Sequence, residues 1–89
     1  MATPNHDIDI GTMLFLRYKN PVVPLLTVID DYMPYMKIAT ANKKARACQL
    51  PFPAFQTGGG AYFVNVADVA RWLESARTEA SKDWQNMQS

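Results

Sequence analysis

The chain has 89 residues, about half of them apolar, with a formal net charge of +1; this suits one small domain with a real core and excludes a multidomain protein. One cysteine and one histidine exclude an internal disulfide and a His/Cys metal cluster. No apolar run approaches the ~18 residues of a membrane span, and "MATPNHDIDI" lacks the basic-then-apolar order of a secretory signal, so a cytoplasmic protein without membrane contact is expected.

Charge is unevenly placed. Residues 1–12 carry two acids and no base, and residues 13–63 carry six bases against two acids. Residues 64–89 carry three bases against four acids. The positive surplus is therefore central, and within it "KIATANKKAR" (37–46) has four bases and no acid.

Residues 1–11 are polar, with Pro4 and Gly11, and read as a flexible N-terminal arm. "TMLFLRYK" (12–19) is short, apolar and aromatic, bounded by Gly11 and Asn20-Pro21, which predicts a strand. "NPVVP" follows as a connection ending at Pro24, a residue suited to the first turn of a helix. A short helix is predicted over 24–33, with Leu25, Val28, Ile29 and Tyr32 on one apolar face and Asp30 and Asp31 outside. Pro34 stops it, and "PYM" makes a tight connection.

Residues 36–49 are alanine-rich and free of Gly and Pro, which predicts a second helix. Ile38, Ala41, Ala45 and Cys48 form a narrow inner face of small side chains. Lys37, Thr40, Asn42, Lys43, Lys44 and Arg46 spread over the outer arc. "LPFPAF" (50–55) is extended, since its two prolines forbid a helix. "QTGGG" is a turn and "AYFVNV" (61–66) a strand, so 51–64 reads as a hairpin with a glycine tip.

The longest helix is predicted over 65–87. Asn65 caps it with Asp68 in the capping-box position, and Val66, Val69, Ala70, Leu73 and Ala76 or Arg77 form its inner stripe. Trp72 packs over the domain edge. Ala80, Trp84 and Met87 continue the stripe beyond the reach of a small core and are the candidate dimer interface, where aromatics are favoured.

Strand, helix, helix, hairpin and long helix make an α+β fold with the layout of a winged helix-turn-helix. Its domain would span 12–78, with 79–89 as a C-terminal helical extension. In that layout the second helix enters the DNA major groove and the hairpin is the wing. Cations on that helix contact phosphates, and Asn42 or Arg46 comes near base edges. Thr57, Gly58, Gly59 and Gly60 approach the backbone from the wing tip, and Arg17 and Lys19 add phosphate contacts.

Other chemistries fit less well. A glycine loop that cradles a nucleotide phosphate needs a helix directly after it, whereas a strand follows here. His6 lies in the polar arm. Asp30 and Asp31, adjacent on a helix, point about 100° apart and form no carboxylate dyad. Cys48, on the small-residue face, is expected to be a buried inert thiol. Neither a catalytic site, a cofactor nor a small-molecule substrate is expected.

The segments "MLFLRY", "VVPLLTVIDDYM", "NKKARACQLPFPAF" and "AYFVNVADVARWLESAR" together resemble the pyocin activator protein (PrtN-type) family of bacteria and their prophages, over roughly residues 12–78. The second half, "LPFPAF" to "VADVARWLE", is also similar to the excisionase and phage-regulator winged helices. The resemblance implies a small activator that binds double-stranded DNA upstream of phage-type genes, as a homodimer or a cooperative assembly. RNA polymerase or a host regulator is a further candidate partner. An excisionase that bends DNA, and a phage-encoded module that binds a host protein, stay open as alternatives. Two departures from the family pattern stand out: Ala47-Cys48-Gln49 where a glycine is usual near the end of the second helix, and a wing tip without cations.

Overall fold

The computed structural model describes residues 9–88. In chain order they form α1 (Ile10–Tyr18), β1 (Val22–Pro24), α2 (Leu25–Tyr32), α3 (Ile38–Arg46), β2 (Phe55–Gln56), β3 (Tyr62–Asn65) and α4 (Val66–Gln88). The strands make one antiparallel sheet in the order β1-β3-β2. Four helices and this sheet form a small α+β domain with a winged-helix layout.

The predicted strand over 12–19 is a helix. Two features outweigh the β-propensity of its aromatics. The Asp9 carboxylate accepts a 2.7 Å hydrogen bond from the Thr12 backbone N–H, capping the free donors of the first turn. Burial also follows a helical spacing: Ile10, Leu14 and Tyr18 face inward, while Met13, Phe15 and Leu16 remain exposed. Ile10 and Gly11 thus belong to α1 rather than to an arm; the rest of the predicted arm, 1–8, lies outside the described residues. At Gly11 a Cβ would come 3.3 Å from the capping Asp9 oxygen, while Ala70 Cβ on α4 would stand at an ordinary contact distance of 3.9 Å, so a side chain here would crowd the cap rather than the neighbouring helix.

"VVP", expected to be a connection, is β1. It pairs Val22 with Asn65, Val23 with Val64 and Pro24 with Phe63. Pro24 cannot donate to a ladder, and β1 lies at the sheet edge, where proline is tolerated. The wing is shorter than predicted on its first side: only Phe55 and Gln56 pair with β3, opposite Phe63 and Tyr62. Residues 51–54 do not pair, because Pro51 and Pro53 interrupt the supply of N–H donors.

α2 lies in the middle of the core. Leu25, Val28 and Ile29 are fully enclosed together with Val64 of β3 and Val69 of α4. Pro24, in extended conformation, precedes its first turn, and its last carbonyls are met by the Met33 N–H, which bonds to Ile29 O at 2.8 Å. α4 leaves the sheet at Asn65, whose side-chain oxygen accepts from the Ala67 N–H at 2.9 Å, as a cap should. Val66, Val69 and Ala70 are buried and Leu73 is half-buried. From Ser75 onward every described position on α4 is exposed.

Trp72 closes the edge of the domain, as predicted. Its ring meets Phe52 at 5.3 Å between centroids and Tyr32 edge-on at 6.4 Å. Phe52, between the two prolines, is buried, so the unpaired segment is held by an aromatic anchor instead of a ladder.

Candidate nucleic-acid interface

α3 begins at Ile38 and stops at Arg46, two to three residues inside the predicted limits on each side. The stop has a specific geometry. The Cys48 N–H bonds to Ala45 O at 3.1 Å and the Gln49 N–H to Lys44 O at 2.8 Å. Cys48 lies between them in the left-handed region, at φ 57°. This pair of crossing bonds is a Schellman motif with cysteine at the position that glycine usually fills. The expected burial of Cys48 is therefore wrong: the turn carries it off the inner face and leaves it exposed.

The inner face of α3 is narrower still than expected. Ala41 and Ala45 are buried, but Ile38 is 38% exposed. Outside, Lys37, Thr40, Lys43 and Arg46 are exposed, and Asn42 and Lys44 are half-buried on the flanks. Among the described residues no carboxylate pairs with any of the four cations. Lys43, Lys44 and Arg46 lie in the last turn, where positive charge also suits the helix dipole. That effect accounts for cations at the helix end, but not for Lys37 ahead of its first turn. Ala39 is exposed between Lys37 and Lys43 and carries neither the charge nor the amide that marks its neighbours in the sequence. Tyr35, in the turn before α3, is 79% exposed.

The wing tip is open. A Cβ added at Gly58, Gly59 or Gly60 would meet nothing within 4 Å. Gly58 and Gly60 have φ of 103° and 84°, so the turn needs glycine at both. Gln56 Nε2 donates to Gly60 O at 2.7 Å across the base of the tip, and Thr57 is exposed.

Arg17 and Lys19 have different surroundings. Arg17 Nη2 lies 3.1 Å from Asp31 Oδ1, and its Nε donates to Oδ2 at 3.3 Å. The Tyr18 hydroxyl donates to the same Oδ2 at 2.6 Å. The Tyr18 bond, then Arg17, holds the Asp31 carboxyl below the usual carboxylate range. Burial, then the bond to Asp31, pushes the Tyr18 phenol above its ordinary value. Arg17 is thus largely engaged in joining α1 to α2. Lys19 is exposed at the end of α1, with φ 55° and its N–H bonded to Phe15 O at 2.6 Å.

Ala80, Trp84 and Met87 lie on the exposed half of α4, with Trp84 65% and Met87 86% exposed. Among the described residues no helix is long and apolar enough to cross a membrane. Residues 12–80 match the family model described as "Pyocin activator protein PrtN". Neither the curated proteins nor the solved structures contain a match.

Proposed function

The chain belongs to the pyocin activator protein PrtN family, and from that premise we propose that it is a sequence-specific DNA-binding regulator that lays α3 in the major groove. Membership itself suggests a phage-type transcriptional activator and implies interaction with DNA or the transcription machinery. The observation that carries the finer reading is the outward face of α3. Four cations stand on or beside a helix of nine residues with no described acid to neutralise them. Cations left unpaired on one face are the electrostatic footprint of a phosphate-binding surface.

In this reading Lys37, Lys44 and Arg46 meet phosphates along the two sides of the groove, Asn42 faces its wall, and Thr40 and Lys43 reach toward the bases. Phosphate contacts fix the register, while base edges carry the sequence information. The wing tip lies against the backbone through its peptide N–H groups and Thr57, and Lys19 adds a phosphate contact. Two copies meet on DNA through the exposed end of α4, with Trp84 as the anchor. Nothing in this mechanism calls for catalysis or a cofactor.

A gel shift against the region upstream of the neighbouring operon tests the reading. The paired substitution Lys43→Ala and Arg46→Ala should weaken binding at least tenfold, at about 1.4 kcal/mol per decade. Unchanged affinity would remove α3 from the interface.

A further inference from the structure

We infer that Ala39 and Lys43 are the specificity-determining pair of α3, taking a thymine methyl group and a guanine edge one helical turn apart. This rests on the DNA-binding reading above and goes beyond it, because it assigns bases to particular side chains.

The two buried alanines set the direction of the helix. Ala41 and Ala45 are 0% and 8% exposed. Successive residues turn by about 100°. Ala39 and Lys43 each lie two positions from a buried alanine and so point almost directly away from the body. Asn42 and Lys44 each lie one position from a buried alanine, and both are half-buried. Those two side chains leave the helix sideways, toward the walls of a groove rather than its floor. Arg46 is exposed but is the final residue of α3, where the chain already turns away. Recognition helices of this class contact base edges with their N-terminal residues. That leaves Ala39 and Thr40 in the first turn; Lys43, although it lies in the last turn, stands at the centre of the outward face and has the reach to join them at the floor of the groove.

Chemistry then distinguishes among these residues. Ala39 ends at its Cβ, so it does not hold the helix away from the bases, and it offers a single methyl group. Its natural partner in the major groove is the C5-methyl of thymine. Lys43 is the cation at the centre of the exposed face, and guanine, with O6 and N7 acceptors, is the base edge that suits a lysine. The two residues are about 6 Å apart along the helix, a separation that spans one or two base steps of about 3.4 Å. Thr40, beside Ala39, can bond either kind of base edge.

Selection of binding sites from a random duplex pool, using the full chain, tests the assignment. The native chain should select at least one fixed guanine and a fixed thymine within two steps of it. Lys43→Gln should move the selected guanine to adenine, the base that glutamine reads. Replacing that thymine by deoxyuridine removes only the methyl group and should weaken the native chain about three- to tenfold, while leaving Ala39→Ser nearly unaffected. Both positions are exposed, and melting curves check that the variants stay folded. If Lys43→Gln weakens every duplex alike and lowers the salt slope by about one unit, Lys43 is a phosphate contact and the assignment fails, although DNA binding stands. An unchanged response to deoxyuridine overturns the role of Ala39 in the same way. If the native chain binds no duplex even at low salt, the assignment and the DNA-binding reading fall together.

Discussion

The Tyr18 hydroxyl donates a 2.6 Å hydrogen bond to Asp31 Oδ2, and this contact ties the end of α1 to the end of α2. Arg17 grips the same carboxylate from the solvent side. Together they fix the first helix against the helix that precedes α3. A residue pair thirteen positions apart in sequence therefore helps hold the scaffold from which α3 projects.

Acid and base should release this contact in opposite ranges. The folded carboxyl of Asp31 titrates below its ordinary value, chiefly through Tyr18 and then Arg17. Its contribution is present above the ordinary carboxylate range and is lost as pH falls through the lowered folded value. The Tyr18 phenol titrates above its ordinary value, chiefly through burial. Its contribution is present up to the ordinary phenol range and is lost as pH rises further. In urea melts, Asp31→Asn should flatten the acid limb and Tyr18→Phe the alkaline limb. Tyr18→Phe should cost about 1 kcal/mol at neutral pH, as for removal of one partly exposed charge-assisted bond. An alkaline limb that persists unchanged in Tyr18→Phe would rule the phenol out.

Phe52 offers a sharper test of packing. It is buried, packs at a tilt against Trp72 with 5.3 Å between ring centroids and anchors a segment with no ladder of its own. Phe52→Ala should cost about 3 kcal/mol, a large share of the stability of a domain this small. A thermal melt of Phe52→Ala beside Phe52→Leu reads the effect. Leucine should retain part of the stability, because it fills part of the volume. A loss below about 1 kcal/mol for alanine would mean that the "PFP" segment is not anchored there.

What could be read in the sequence, and what could not, follows from the range of the interactions involved. α2 and α4 were legible because Pro24, Pro34 and Asn65 punctuate them and their apolar spacing is regular. The wing was legible from three glycines between apolar runs. β1 was not, since its pairing partner Asn65 stands more than forty positions away from Val22 and "NPVVP" carries no local pattern. α1 misled because "MLFLRY" has strand-like composition. The available clue was Asp9 three residues before Thr12, a helix cap hidden in an apparently polar arm. On α3 the charge and the inward direction of Ala41 and Ala45 were legible, but the exposure of Ile38 and Cys48 and the half-burial of Asn42 and Lys44 were not. The observed exposure of Lys43 and half-burial of Asn42 separate the centre of the outward face from its flank. The role of Asp31 needed the tertiary contact with α1.

Cys48 carries a strain that substitution should relieve. It occupies the left-handed position of the turn that ends α3, which costs a residue with a side chain about 1 kcal/mol or more. Cys48→Gly should therefore raise stability by about 0.5 kcal/mol, after allowing for the greater freedom of glycine in the unfolded chain. Cys48→Val, β-branched, should lower it. Urea titrations of the two variants give the sign directly, and a destabilised glycine variant would show that the Cys48 side chain contributes packing of its own.

The wing tip has no cation, and Gly59 is the tip glycine where one can be added. Gly58 and Gly60 have positive φ, so a side chain at either position would be strained. Gly59 lacks that constraint, and its Cβ would meet nothing within 4 Å. Gly59→Lys should leave the melting temperature nearly unchanged. If the tip lies against a DNA backbone, it should tighten binding to all duplexes at low salt and steepen the salt dependence by about one counterion. Gly58→Lys, with the same charge on a strained backbone, should lower stability by about 1 kcal/mol and serves as the contrast. Binding titrations at several salt concentrations separate the outcomes. A slope that does not move in Gly59→Lys would mean that the wing stands clear of the DNA and that the contact is made without it.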